Sequence, residues 1–450
     1  MTNPTSVAPH AASLPRAGRA VFAVALSLAS ALAGSEAAAA DLTILVAPKD
    51  GPIATRPDEA GTVVVPRLFL AFERASEHLS TCQRCVVTIK VVGGAQTGRA
   101  EVGQWVFPET VAPGATLRVL GGYDAKLERR APFSHPTVLV TSRPRSGTVL
   151  EFQGRRTAFA ELYFSGFAID VAPGNNYDAK TGALMKGGSP SWPLVAFGMM
   201  KVDRLTIADN IFVNAANAVG GPRITASADS EVVVRNNFFL NNVHAWQVTG
   251  LPRTPVLPRY VVQGNSFIRN FPYNPDPTTS NPGAIEIGGK DGVVRVELRG
   301  NLFAFNSGGA IFPQWDEKRG PQIEIADNLF FRNAGIFGAK DVGKGAVVGK
   351  FNGAAKHGVF TPDEVAEEFS WKSHGNVVAD PGIDLGSAVR EPAGADAQPG
   401  PDEDGEIEVV RSADIDNFAT RYELSFDRLP FPKAAGTNKF GASPARVVTP

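Results

Sequence analysis

Between residues 200 and 335 one pattern, apolar-x-apolar-x-x-Asn-x-Phe, occurs five times. The copies begin at Leu205, Val232, Tyr260, Val296 and Ile323. They place Asn210, Asn237, Asn265, Asn301 and Asn328 at successive spacings of 27, 28, 36 and 27 residues. Phe212, Phe239, Phe267, Phe303 and Phe330 follow two positions after each Asn. In four copies a second Asn stands five positions on, as Asn242, Asn270, Asn306 and Asn333, whereas the first copy has Ala215. A degenerate copy, Leu162-Tyr163-Phe164-Ser165-Gly166-Phe167, lies upstream.

The residue types explain the period. Apolar residues at i and i+2 make a short strand with one buried face. Asp, Asn or Gly before the Asn suits a sharp corner, because these residues tolerate left-handed backbone. A unit of about 27 residues cannot bury its apolar face alone and must stack on its neighbours. Parallel stacking sets equivalent residues about 4.8 Å apart, close enough for Asn amides to bond rung to rung and for Phe rings to pile up. Gly 46 and Pro 34 supply many corners and argue against a helical bundle.

This repeat resembles that of the right-handed parallel β-helix superfamily, the pectin-lyase-like fold, whose members carry such Asn ladders and internal aromatic stacks. The resemblance is densest over 160–335 and extends over 86–385. It implies an all-β, single-stranded right-handed parallel β-helix solenoid with an N-terminal amphipathic capping helix. Leucine-rich repeats need a Leu spacing absent here, and propeller blades run about 40–45 residues.

The chain divides accordingly into 1–40, 41–85, 86–385 and 386–450. Residues 66–79 set Leu68, Phe72, Ala75 and Leu79 on one helical face after Pro66, which predicts the capping helix before a first strand at Val86. Leu117 to Asp124, with its Gly-Gly-Tyr-Asp, reads as an early coil. The rhythm breaks at 172–193, 271–282 and 338–375; the last contains Thr361-Pro362-Asp363-Glu364, a capping-box signature. It returns at Gly375-Asn376. Residues 391–406 read as a Pro/Gly/acidic linker, and the tail to Pro450 as a return segment closing the C-terminal end.

Residues 1–40 carry Arg16 and Arg19, then a 14-residue apolar run from Ala20 to Ala33, then Ala38-Ala39-Ala40 before Asp41. The run falls short of the roughly 20 residues that span a bilayer, so it reads as a signal peptide and not an anchor. After its cleavage no transmembrane anchor is expected, and the protein is expected in the periplasm or secreted. The two cysteines, Cys82 and Cys85, are expected to form a local structural disulfide. A net charge of −1 supplies no basic field for nucleic acid.

The fold resemblance implies a partner: a polysaccharide bound along one groove, or a cell-envelope component. The Asn-Thr-Asp, Asp-Asp and Gly-His-Gly motifs of polygalacturonases are absent, as is the Asp-Pro-His-Asp of mannuronan epimerases. Lyase-type elimination on an acidic glycan stays open, with Ca²⁺ as the cofactor that reading admits and no metal-ligand set fixed. Gly283-Ala284-Ile285 matches Gly309-Ala310-Ile311 at an offset of 26, which carries Lys290 to Asp316 and close to Asp341. Lys290 or Arg319 would take the proton α to a uronate carboxylate, with Asp316 among the acids that hold the metal. Lys290, Asp316 and Asp341 are expected to line up on one outer face, with Glu286, Glu317, Arg319 and Lys340 nearby. Trp246 and Trp315 would stack on sugars, and Tyr273 would stand in a wall. The competing reading is a non-catalytic envelope or surface scaffold serving adhesion.

Overall fold

The spacing of the Asn-x-Phe copies becomes strand register. Leu205, Val232, Tyr260, Val296 and Ile323 are successive partners in one parallel sheet. In the second sheet the same holds for Phe212, Phe239, Phe267, Phe303 and Phe330. The 26-residue offset is also kept, since Ile285 pairs with Ile311 in the third. The computed structural model describes residues 41–53, 59–94, 103–106, 111, 114–140, 150–153, 158–170, 195–198, 201–215, 221–226, 230–242, 245–250, 258–270, 284–288, 294–306, 309–313, 322–333, 361–369, 371–385, 389–390 and 423–450.

Among these residues the protein is mostly β. Three parallel sheets have eleven, eight and seven strands, and one short antiparallel pair joins Val389–Arg390 to Glu423–Leu424. The chain visits the three sheets in rotation. Lys201–Ala208 lies in the first, Ile211–Val213 in the second and Pro222–Ala226 in the third. Glu231–Arg235, Phe238–Leu240 and Trp246–Gly250 repeat the order. Long stacked parallel sheets of this kind are compatible with a β-helix solenoid.

Two columns of amides run through the stack. Asn210, Asn237, Asn265, Asn301 and Asn328 each donate from Nδ2 to Oδ1 of the next Asn at 2.9–3.0 Å, the last reaching Asn376. The same Oδ1 also accepts the preceding Asn's backbone N–H at 2.9–3.0 Å. Asn242, Asn270, Asn306 and Asn333 form the second column. Between them the five Phe rings stack with centroids 4.5–5.2 Å apart, each pair adding roughly 0.5–1.5 kcal/mol beyond burial.

The residue before each ladder Asn turns the corner in left-handed backbone: Asp209, Asn236, Gly264, Gly300, Asp327 and Gly375 have φ between 52° and 64°. At the second corner the left-handed residues are Asn214, Asn241, Arg269, Phe305 and Arg332. Arg and Phe there show that stacking overrides local preference. Farther up, Gly121 and Gly166 are required by close approach. A Cβ on Gly166, where φ is +88°, would sit 2.2 Å from the Gly121 carbonyl oxygen.

Helix α1, Leu68–Thr81, buries Leu68, Ala71, Phe72, Ala75 and Leu79. Phe72 meets Phe152 of the third sheet edge-on at 5.9 Å. The expectation of a first strand at Val86 is corrected: Leu42–Val46 and Thr62–Val65 precede α1 and extend the same sheet beyond Val86–Val92. Both are too short for periodicity to mark them. Helix α2, Pro362–Phe369, opens on the expected capping box, with Glu364 accepting from Thr361 N–H at 2.7 Å and Thr361 Oγ1 from Glu364 N–H at 3.3 Å.

Residues 425–450 run back along the outer face of the second sheet as a strap. Lys433 N–H reaches Pro381 O, Gly441 N–H reaches Gly300 O, Ala442 N–H reaches Ser266 Oγ, and Ser443 N–H reaches Asn236 Oδ1, all within 2.7–3.0 Å. Val448 O then accepts from Tyr163 and Arg130. Beneath the strap, Phe431 packs edge-on against Phe238 at 5.1 Å, and Phe440 and Ala442 join a cluster with Ile211, Leu240, Ile268 and Leu302.

Candidate functional site

Connection lengths distinguish the three faces. From the first sheet to the second the repeats spend two residues, as between Ala208 and Ile211 or Arg235 and Phe238. Connections on either side of the third sheet vary widely in length. Asp170 and Val195 are separated by a long segment, as are Ile268 and Ile285, while Val213 and Pro222 are closer. From Phe167 to Gln322 the large breaks in the rhythm therefore fall beside the third sheet, whereas farther up a long connection also separates Tyr123 of the first sheet from Thr137 of the second. Segments that vary on a rigid scaffold are where binding groups are usually carried.

The other two outer faces are already committed. On the first sheet the non-apolar positions of successive repeats form a charge lattice. Glu231 bridges Arg204 and Arg259 at 3.5 and 2.7 Å. Arg259 grips Glu297 with two bonds of 2.9 Å, and Arg295 and Arg299 approach the same carboxylate at 3.2 and 3.4 Å. Glu324 then bridges Arg299 and His374. Glu297 is 2% exposed, and the Arg259 hydrogen bonds hold its carboxyl below the usual range. The second sheet is covered by the strap.

A buried polar column lies at the corner between those sheets. Asp209, fully buried, accepts from Ser165 Oγ at 3.0 Å and Asn236 Nδ2 at 2.6 Å, and pairs with the equally buried Arg130 at 3.3 Å. Arg130 also donates to Ser165, to Gly121 O and to Val448 O, tying three coils to the strap. Burial raises the Tyr163 phenol even though Arg235 donates to it at 2.7 Å. Each group is satisfied by its neighbours, as structural polar groups are.

The third sheet aligns Glu151, Ala196, Arg223, Gln247 and Glu286 in one register row. Gln247 Nε2 donates to Glu286 Oε1 at 3.3 Å, and Glu286 is 1% exposed. Trp246 corrects a sequence expectation: it is fully buried, tilted against Tyr260 at 6.2 Å, and offers no face to a sugar. The cause is strand alternation, which turns Trp246 and Val248 into the core and Gln247 outward. The expected residues Tyr273, Lys290, Trp315, Asp316, Glu317, Arg319, Lys340 and Asp341 lie outside the described residues. In chain order Tyr273 precedes Ile285–Gly288, Lys290 follows it, and Trp315, Asp316 and Arg319 follow Ile311–Pro313. His374 is exposed, with Nε2 3.6 Å from Glu324.

Sequence reasoning missed the Arg259–Glu297 lattice, although its signal was present. Charges of both signs stand at the x positions of the repeats, as Glu297 and Glu324, and just before their first apolar residue, as Glu231, Arg259 and Arg295. It gave the tail as a return segment but not the face it runs along, which no local period encodes. Cys82 and Cys85 form one close pair, with Cα atoms 5.8 Å apart. Among the described residues no helix is long and apolar enough to cross a membrane. No family model, curated protein or solved structure compared with this chain matches it.

Proposed function

We propose that this protein is an exported right-handed parallel β-helix that binds or processes polysaccharide along the outer face of its third sheet. The observation that carries the reading is the asymmetry of the coils. One face is locked by its own ion pairs, another is strapped, and the connections of variable length flank the remaining one. A row of side chains repeating about every 4.8 Å suits an extended polymer. In this reading residues 1–40 are the export signal, α1 caps the N-terminal end, and Cys82 and Cys85 are joined by a disulfide outside the cytoplasm.

The enzymatic form is elimination on an acidic glycan. Lys290 or Arg319 takes the proton α to the uronate carboxylate, and Asp316 with Asp341 holds a cation such as Ca²⁺ that neutralises it. Gln247 lines the floor of the groove, its amide held from below by the buried Glu286. The inward Trp246 and the self-paired charges of the first sheet favour a second reading, a non-catalytic envelope scaffold. Incubating the mature chain with alginate, pectate and glycosaminoglycans, with and without Ca²⁺, separates the two by absorbance of the unsaturated product. A rise supports elimination; no rise and no retention on any glycan column overturns the polysaccharide reading. Lys290→Ala with full activity removes that residue from the site.

A further inference from the structure

The last turn of α1 and the start of the next strand bring three metal-ligating side chains together. His78 and Cys82 are four residues apart, so helical geometry sets them on one face. Arg84, in left-handed backbone at φ 54°, then reverses the chain and returns Cys85 beside Cys82. One ring nitrogen of His78 and the two sulfurs lie within 4.8 Å of one another. Both cysteines are buried and His78 is half-buried at the rim.

We infer that, with the cysteine pair in its dithiol form, His78, Cys82 and Cys85 bind one thiophilic cation of the Zn²⁺ class. Tetrahedral zinc with Zn–S near 2.3 Å needs sulfurs about 3.8 Å apart and a nitrogen at similar range. The three ligand atoms start within 4.8 Å of one another on Cα atoms that are 5.8 Å apart for the cysteine pair, so once the disulfide is reduced, side-chain rotation that parts the sulfurs and brings the ring nitrogen in reaches this geometry. The helix end supports the assignment. Its C-terminal carbonyls carry partial negative charge, which disfavours a pair of bare thiolates and favours a cation between them. Three protein ligands leave a fourth position for water or an exogenous group.

Metal and disulfide exclude each other, which makes the site a redox-gated one. A thiol reductant RSH converts the disulfide by exchange: Cys82–S–S–Cys85 plus two RSH gives two cysteine thiols and RS–SR. The thiols then release two protons as the cation binds through two thiolates and the neutral imidazole. This inference depends on the His-Cys-Cys geometry alone and is independent of the glycan reading.

The test uses the full chain, reduced with a phosphine under anaerobic conditions and titrated with Co²⁺ as a spectroscopic stand-in for Zn²⁺. The expected result is one Co²⁺ per chain with a thiolate-to-cobalt charge-transfer band, bleached by Zn²⁺ and absent from the oxidised protein. His78→Gln should weaken Co²⁺ binding roughly tenfold or more while far-UV circular dichroism stays unchanged. Cys85→Ser, checked for folding in the same way, should lose most of the band. A reduced, folded chain without the band overturns the inference, as does undiminished affinity in His78→Gln.

Discussion

Truncating one rung of the amide ladder tests the physical core of this fold. Asn265 is fully buried, and its Oδ1 accepts from both the backbone N–H and Nδ2 of Asn237 at 2.9 Å. Its own Nδ2 donates to Asn301 Oδ1, Val234 O and Gln263 O at 3.0, 2.8 and 3.2 Å. In Asn265→Ala the Asn237 amide keeps its bonds to Ile207 O and Arg235 O. The Asn237 backbone N–H loses this partner inside a dry core. An orphaned buried donor costs about 1–3 kcal/mol, and the other lost bonds add about 1 kcal/mol apiece, so about 2–5 kcal/mol is expected in all. Asn265→Asp is the sharper variant. It keeps the acceptor for Asn237 but points a carboxylate oxygen at three acceptors, so at neutral pH it should be worse than Ala. Its folded pKa is then raised, and the penalty eases as pH falls through that value and the protonated oxygen donates. Urea unfolding followed by Trp fluorescence and circular dichroism, at neutral and acid pH, reads both variants. An Ala variant costing under about 1 kcal/mol would refute the ladder's energetic role. So would an Asp variant as stable as the parent at neutral pH.

Two further outcomes follow. Glu297 has a folded pKa below its unfolded value of about 4.3, so its contribution is present above that value and is lost as pH falls through the folded one. Stability of the parent should decline in that acid window more steeply than that of Glu297→Gln. The difference at neutral pH should be modest, up to about 1 kcal/mol, because the partner arginines stay half exposed to solvent; parallel pH profiles would refute it. Ending the chain at Leu424 removes the strap and bares Ile211, Phe238, Leu240, Ile268 and Leu302. The expected result is binding of an apolar dye and concentration-dependent self-association in size-exclusion chromatography, and a monomeric, dye-silent product would contradict the packing.

The repeat by itself determined the stacking register, the two amide columns and the Phe stack. Each depends on a residue type recurring at a fixed interval, and stacking converts interval directly into contact. The match of Ile285 with Ile311 and the return of the ladder at Asn376 were legible for the same reason. The helix faces of α1 and α2 were legible too, because capping and amphipathicity are local. Only the tertiary structure decided what has no period. The path of residues 425–450 depends on an apolar outer face contributed by many coils, and the partnership of Arg130 with Asp209 spans 79 positions. The inward turn of Trp246 is a matter of strand phase within a segment whose neighbours differ in length, and the meeting of His78 with Cys82 and Cys85 depends on a single left-handed residue. Periodic contacts are written in the chain, whereas single contacts between distant segments exist only once the coils have stacked.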